Sequence, residues 1–268
     1  MPNRPGKQKP WWRDRAAPEW TQRTALKVPE VTAMFWAVKI VSTAMGEATS
    51  DWGVHAAPLL AVPVAGLAFA GALVLQLRAP RYIPWVYWLA VAMIAVFGTM
   101  VADVIHVVFM VPYVLSVIGF SAALAFVFRT WHRTEGSLSI HTIDSPRREL
   151  FYWATVLTTF ALGTAVGDTT AYTFHLGFLA SGIAFAALIG VPLVAYRLAG
   201  ANEVLTFWFA YIVTRPLGAS FADWGGTPHD IGGLNLGRGN VSLVLSLVLA
   251  ALVVAATGRP RPRVPASA

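Results

Sequence analysis

Four aspartates lie in apolar stretches of this chain, each at the same place in a recurring frame. In each copy a Trp is followed after nine residues by a Gly, and after four more by the Asp. The frame residues are Trp36, Gly46 and Asp51; Trp88, Gly98 and Asp103; Trp153, Gly163 and Asp168; and Trp208, Gly218 and Asp223. A carboxylate within an apolar span is costly, so its repeated placement indicates a functional site.

Other polar residues accompany the aspartates, because positions four apart share one face of an α-helix. The first copy has a second carboxylate, Glu47, one turn before Asp51. Glu47 is the strongest single candidate, since helix capping does not require a carboxylate there. The residues predicted to support the site are Lys39, Thr43, Thr99, Thr164 and Arg215.

Carboxylates outnumber cations inside the apolar spans, where the only cations are Lys39 and Arg215. A buried excess of negative charge requires either a mobile cation or protonation of some carboxylates. The predicted cation-binding residues are Glu47, Asp51, Asp103, Asp168 and Asp223.

Histidines follow the aspartates at irregular offsets of four, three, seven and six residues. Oxygen and nitrogen donors without sulfur suit ions such as Mn, Zn or Ni. The predicted metal set is Glu47, Asp51, Asp103, Asp168, His55 and His106. The irregular offsets weigh against this set, because a repeated ligand should keep its register.

Structural roles compete with the cation hypothesis. Each Asp is placed to cap the helix that follows it, across a tight turn. Lys39 is placed to neutralise Glu47 or Asp51, and Arg215 to pair with Asp223 or to gate a path. The frame glycines are expected to let helices pack closely, and the frame tryptophans to pack or to lie at the membrane interface.

These residues lie in apolar runs that are long enough to cross a membrane. The chain is 56% hydrophobic and 12% charged, against about 25% charged in soluble domains, and it has no cysteine. We predict an all-α polytopic membrane protein with about eight transmembrane helices, forming four tandem hairpins in the same orientation. The predicted spans are 29–51, 55–77, 83–104, 107–129, 148–169, 172–196, 202–223 and 240–257.

Charge distribution predicts the domain boundaries and the orientation. The predicted parts are a basic cytoplasmic arm 1–28, a membrane domain 29–257 and a disordered tail 258–268. The repeats of the membrane domain are 29–78, 81–129, 146–197 and 201–257. A cytoplasmic loop, 130–145, lies between the second and third repeats. Within this loop, apolar and polar residues alternate over 137–143, as in a short strand or extended segment. Seventeen Lys and Arg residues fall on one side of the spans, and only Arg238 on the other. The positive-inside rule then places both termini in the cytoplasm, in a bacterial inner membrane.

The chain resembles a family of bacterial multi-pass membrane proteins defined by four copies of a repeat of unknown function. The resemblance is carried by residues 28–51, 135–141 and 151–168, and it extends over about 28–257. It implies the architecture of four two-helix units, without an activity. The fourth copy departs most, with Ala219 where the others have Glu or Thr, and with the added Arg215-Pro216.

A transporter of a small cation is the favoured function, with a divalent metal such as Mn as substrate and coupling to protons. A cation channel with an acidic ring and a non-transporting scaffold or sensor are the alternatives. Sequence signatures of hydrolases and metalloproteases are missing, so we expect no enzyme activity. No cofactor is predicted beyond the metal substrate. The expected partners are the bilayer and the cation, without nucleic acid, and a homo-oligomer is left open.

Overall fold

The computed structural model describes residues 26–257. Most of the predicted basic arm and the whole tail 258–268 lie outside the described residues. Within 26–257 the chain forms eight long helices and no strand. The helices are α1 Ala33–Ala56, α2 Pro58–Arg78, α3 Pro84–Asp103, α4 Tyr113–Glu135, α5 Pro146–Asp168, α6 Gly177–Ala199, α7 Glu203–Gly226 and α8 Arg238–Thr257.

Capping residues fix where the helices begin. The Thr32 hydroxyl accepts from the Phe35 amide at 3.2 Å at the start of α1. Ser145 caps α5 in the same way, accepting from the Arg148 amide at 3.4 Å, and Pro146 follows in the first turn. Hydroxyl caps and proline are typical of helix starts.

The connection before α5 differs from its expected extended form. Ile140–Thr142 is one turn of 3₁₀-helix. The Ser139 hydroxyl accepts from the His141 amide at 3.3 Å, which bends the chain into this turn. Ile140 and Ile143, three positions apart, are both buried, which fits one turn of 3₁₀-helix and not the period of two of an extended segment.

Two layers of helices build the bundle. The odd-numbered helices form an inner ring, in which each contacts the next and α7 contacts α1. The even-numbered helices lie outside, and each packs on the inner helix of the next hairpin: α2 on α3, α4 on α5, α6 on α7, and α8 on α1. The frame therefore lies entirely on the inner ring, with its tryptophans towards one end and its aspartates at the other.

Seven helices, α2 to α8, are long and apolar enough to cross a membrane. The outer helices are mostly exposed along their apolar faces, as expected for contact with lipid. Of the eight described helices, only α1 is not apolar enough to be counted among them. It has the length, but it carries Lys39 and Glu47, and both face the bundle interior with 1% and 3% exposure. Charges in membrane helices commonly face the bundle interior. The chain is a polytopic membrane protein.

The frame glycines are where the inner helices touch. At each of them a Cβ atom would collide with the residue three positions before the glycine of the next inner helix. The contacts are Gly46 with Ala95, Gly98 with Phe160, Gly163 with Arg215, and Gly218 with Thr43. The last contact joins α7 back to α1. The predicted packing role of the glycines is thus seen at all four positions, and it closes the ring.

Aromatic side chains close the ring again at the tryptophan end. The residue before each frame Trp lies against the Trp of the next inner helix, or for Phe207 against that of α1. The ring-centroid distances are 5.8 Å for Phe35–Trp88, 5.5 Å for Tyr87–Trp153, 6.2 Å for Tyr152–Trp208 and 5.7 Å for Phe207–Trp36. We call these eight residues the aromatic collar. The Tyr87 and Tyr152 hydroxyls are hydrogen-bonded to each other within it.

Gly46→Ala will destabilise the bundle by about 1–3 kcal/mol, because the added methyl meets both the side chain and the backbone of Ala95. Gly119→Ala on α4 is the matched control, since nothing lies within 4 Å of a Cβ there. It will leave stability unchanged or raise it, as alanine favours helix. Thermal unfolding in detergent measures both. Equal melting temperatures for the two variants would contradict the close contact.

Candidate functional site

Arg215 of α7 lies at the centre of the inner ring. Its Nη2 donates to Glu47 Oε2 at 2.5 Å, to the Thr99 hydroxyl, and to the Thr164 hydroxyl at 2.8 Å. Its Nη1 donates to the backbone oxygen of Thr43 at 3.2 Å. One guanidinium group on α7 therefore joins α1, α3 and α5.

The three side chains that Arg215 binds occupy one position of the frame. Glu47, Thr99 and Thr164 each follow the frame glycine of their helix. The fourth residue at this position is Ala219, which has no polar group to offer. Arg215, one turn before Ala219, supplies the polar group of α7 at this level. We call Arg215, Glu47, Thr99 and Thr164 the arginine cluster.

The ion pair in this cluster is buried. Arg215 is 1% exposed, and Glu47 is 3% exposed. Of the two roles predicted for Arg215, the pairing with Asp223 is not seen, because its ion pair is with Glu47; the gating of a path stays a prediction. The close contact of Arg215 with Gly163 sets the side chain in the middle of the ring, where Glu47 is the carboxylate within reach.

Lys39 lies in the same interior without an ion pair. Its Nζ is 4.0 Å from the ring centroid of Phe160 and 4.1 Å from that of Tyr211. No hydrogen-bond partner is found for this atom among the described residues. Its predicted pairing with Glu47 or Asp51 is therefore not seen, because Arg215 bonds to Glu47 and Arg238 to Asp51. Aromatic faces stabilise the ammonium group instead.

The four frame aspartates lie at one end of the inner ring, and all are partly exposed. Asp51 pairs with Arg238 of α8 at 3.1 Å. The side chains of Asp103, Asp168 and Asp223 have no hydrogen bond or ion pair with any other described residue. Electrostatic interactions link Asp103 to Glu47, Asp51 and Asp168. We call Asp103, Asp168 and Asp223 the acidic vestibule.

Helix capping does not account for these aspartates. Asp103 and Asp168 each precede a short π-helix, Val104–Val108 or Thr169–Thr173, and neither side chain caps it. The α2 helix follows Ala57 and likewise has no side-chain cap. Such π-helical turns are frequent at functional sites, and they follow the same frame position in two hairpins. Nothing in the sequence pattern distinguished these turns from α-helix.

The predicted metal set does not come together. Within residues 26–257 no three His, Asp or Glu side chains form a group that could hold a metal. Glu47 and Asp51 are engaged by arginines. His55 Nδ1 contacts the Asp51 backbone oxygen at 2.7 Å, and His106 Nδ1 contacts the Val111 oxygen at 2.7 Å.

Aromatic residues flank the acidic vestibule, and the sequence analysis missed them. Tyr113 interacts electrostatically with all three vestibule aspartates, and Tyr172 with two of them. The Tyr113 ring stacks on His106 at 3.4 Å between centroids, and lies 5.9 Å from that of Tyr172. Phe160 and Tyr211 at Lys39 were missed too. Aligning the copies would have found Phe160, because it holds the position that is Arg215 in the last one.

The fold and the site define a polytopic membrane protein with a charged, arginine-centred interior. A family model described as Repeat of Unknown Function (DUF347) matches residues 86–137, 151–202 and 206–261. These three matches cover more than half of the chain, which therefore belongs to this family. The matches cover the second, third and fourth hairpins. Searches of the curated proteins and of the solved structures found no match.

Proposed function

We propose that the protein is a carrier for a small cation, and that the acidic vestibule receives the cation above a gate formed by the arginine cluster. The observation that carries this proposal is the contrast between two levels of the inner ring. One level holds a buried ion pair, and the next holds three carboxylates without a hydrogen-bond or ion-pair partner among residues 26–257. Unpaired carboxylates in a membrane protein mark an ion pathway by default.

We further propose that the N-terminal hairpin is a fourth copy of the family repeat. It carries the same Trp–Gly–Asp frame, and its glycine and aromatic contacts continue the cycle formed by the other three hairpins. Like-oriented repeats around one axis are a known architecture of transporters.

We propose a bacterial inner membrane as the location, with both termini in the cytoplasm. The support is the distribution of Lys and Arg, of which only Arg238 lies at the aspartate end. In this orientation the acidic vestibule faces outwards, and the aromatic collar lies towards the cytoplasm.

We favour a carrier over a channel because side chains of the inner helices meet at two levels of the ring. Arg215 bridges all four inner helices at the first level. The aromatic collar closes the ring at the second. A conducting pore requires a continuous path through its filter. A carrier requires such closures, and it opens them in turn.

A scaffold role accounts for less of the site. The arginine cluster and the frame glycines are enough to hold the inner helices together. The acidic vestibule adds like charges that form no ion pair within residues 26–257, which costs stability and needs another reason.

The cation is proposed to bind with part of its water shell. Direct coordination of a bare ion needs several ligands on one point, and the described residues offer no such group. Water-bridged binding suits divalent ions that keep their hydration, and Mn²⁺ is the first to test. The proposal includes coupling to protons and no enzyme activity.

Uptake into proteoliposomes tests the proposal. Purified protein is reconstituted, and uptake of Mn²⁺, Zn²⁺, Ni²⁺, Mg²⁺ and K⁺ is measured with and without a pH gradient. Saturable uptake that responds to the gradient supports the carrier. Fast uptake that does not saturate supports the channel. No uptake of any of the five cations would overturn both.

A further inference from the structure

Lys39 is a buried charged residue that the proposed gate leaves unused, and unlike buried Glu149, which pairs with Lys27, it has no ion pair among residues 26–257. Position 39 lies three residues after the frame Trp, and the same position in the other copies holds Val91, Val156 and Tyr211. The packing of the repeat therefore does not need an amine there. Lys39 is one of only four lysines in the chain, and of the two among the described residues it is the one that lies in a helix, since Lys27 precedes α1.

The surroundings of Lys39 fit an amine that exchanges a proton. An ammonium group donates three hydrogen bonds, and this one donates none within the described residues. Two aromatic faces at 4.0 and 4.1 Å compensate only part of the lost hydration. A neutral amine would be far cheaper to bury at this point.

Charge balance links Lys39 to the arginine cluster. Lys39 interacts electrostatically with Arg215, and the counter-charge of that level is Glu47 alone. With Lys39 protonated, the charges of Lys39, Arg215 and Glu47 sum to one excess positive charge. With Lys39 neutral, Arg215 and Glu47 balance each other. The titratable or charged groups on the helices around it are Glu47, Asp51 and His55 on α1, Tyr87 and Asp103 on α3, Arg147, Arg148, Glu149, Tyr152 and Asp168 on α5, Glu203, Tyr211, Arg215 and Asp223 on α7, and Arg238 on α8.

We propose that Lys39 is the proton site of this carrier, and that a cation arriving at Glu47 drives the proton off Lys39, so that cation and proton move in opposite directions. In this step the N–H bond of the ammonium breaks, and its electron pair stays on nitrogen. A water molecule on the vestibule side takes the proton. The inference rests on the proposed function and adds to it the group and the direction of coupling.

Replacing the amine tests this inference. Vesicles containing wild-type protein and a pH-sensitive dye are given external Mn²⁺. One proton or more is expected to leave for each Mn²⁺ taken up. Lys39→Met keeps the length of the side chain without a titratable group. We expect it to take up Mn²⁺ with at least a tenfold lower ratio of protons to cations, and with no response to the pH gradient.

Lys39→Arg is the matched charge control. Its guanidinium keeps its proton at all accessible pH values, so proton exit is expected to be lost in this variant as well. A wild-type proton ratio in Lys39→Met would overturn the assignment of Lys39 while leaving the carrier proposal intact. Wild-type protein that moves no cation would overturn the proposed function itself.

A spectroscopic measurement covers the case in which Lys39→Met does not fold. The four lysines of the wild-type protein are labelled with ¹³C at Cε, and their resonances are recorded in detergent. Saturation with Zn²⁺, a diamagnetic divalent ion, is expected to shift one buried resonance from the charged to the neutral position. The absence of any neutral lysine at saturating Zn²⁺ would overturn the inference.

Discussion

Arg215→Leu will lose about 3–5 kcal/mol of folding free energy, the largest effect of any single substitution in the inner ring. The change leaves the Glu47 carboxylate buried without its partner, and it removes donors from Thr99 and Thr164. Breaking one side of a buried ion pair leaves an uncompensated charge, which explains the size of the loss. Unfolding in mixed detergent micelles, followed by tryptophan fluorescence, measures it.

The double variant Arg215→Leu with Glu47→Leu separates stability from function. Removing both charges is expected to restore the folding free energy to within about 1–2 kcal/mol of wild type, because no orphaned charge remains. Cation transport will stay abolished, since the gate and its carboxylate are gone. A single variant as stable as wild type would contradict the central position of Arg215. A double variant that still transports would contradict the gate.

The triple variant Asp103→Asn, Asp168→Asn and Asp223→Asn will reduce cation uptake by about 10- to 1000-fold at low salt. These three carboxylates concentrate cations at the mouth of the inner ring, and Asn keeps the side-chain shape while removing the charge. Stability will be unchanged or higher, because the aspartates form no ion pair that could be lost and repel one another. Uptake into proteoliposomes and thermal unfolding measure the two properties side by side.

Asp230→Asn is the matched control for the triple variant. Asp230 is an exposed residue of the connection after α7, at the same end of the bundle. Its loss will change uptake less than twofold. Asp51→Asn will fall between the two, since Asp51 is already paired with Arg238. Equal rates for the triple variant and Asp230→Asn would argue against the acidic vestibule.

Much of the architecture was predictable from the frame. Repeated apolar spans gave the helices, and Ser145 with Pro146 gave the start of α5 within two residues. The even number of spans per copy gave the equal orientation of the hairpins. The packing role of the glycines also followed from their spacing, because small residues at one level of each inner helix allow close approach.

The partners of the charged residues were not predictable in the same way. Helical periodicity relates residues on one helix, so it suggested Arg215 with Asp223 and Lys39 with Glu47. The observed Arg215–Glu47 pair joins α7 to α1 through two residues that are 168 positions apart in sequence, and it depends on how the ring closes. Closure is set by the contact of α7 with α1. A single copy of the frame carries no sign of that contact.

The residues of the predicted metal set lie apart for a related reason. Ligand sets are defined by convergence in space, and His55 and His106 follow their aspartates at different offsets. Each turns to a nearby backbone oxygen instead of the ring axis. The unequal offsets already pointed to that outcome.

The proposed cation transport is tested most directly in sealed vesicles that contain purified wild-type protein. Mn²⁺ uptake and lumenal pH are recorded at the same time. The predicted result is Mn²⁺ uptake that saturates with concentration and is accompanied by proton exit, with both signals absent in the variant lacking Arg215 and Glu47. Wild-type vesicles whose Mn²⁺ uptake and lumenal pH match those of protein-free vesicles would contradict it.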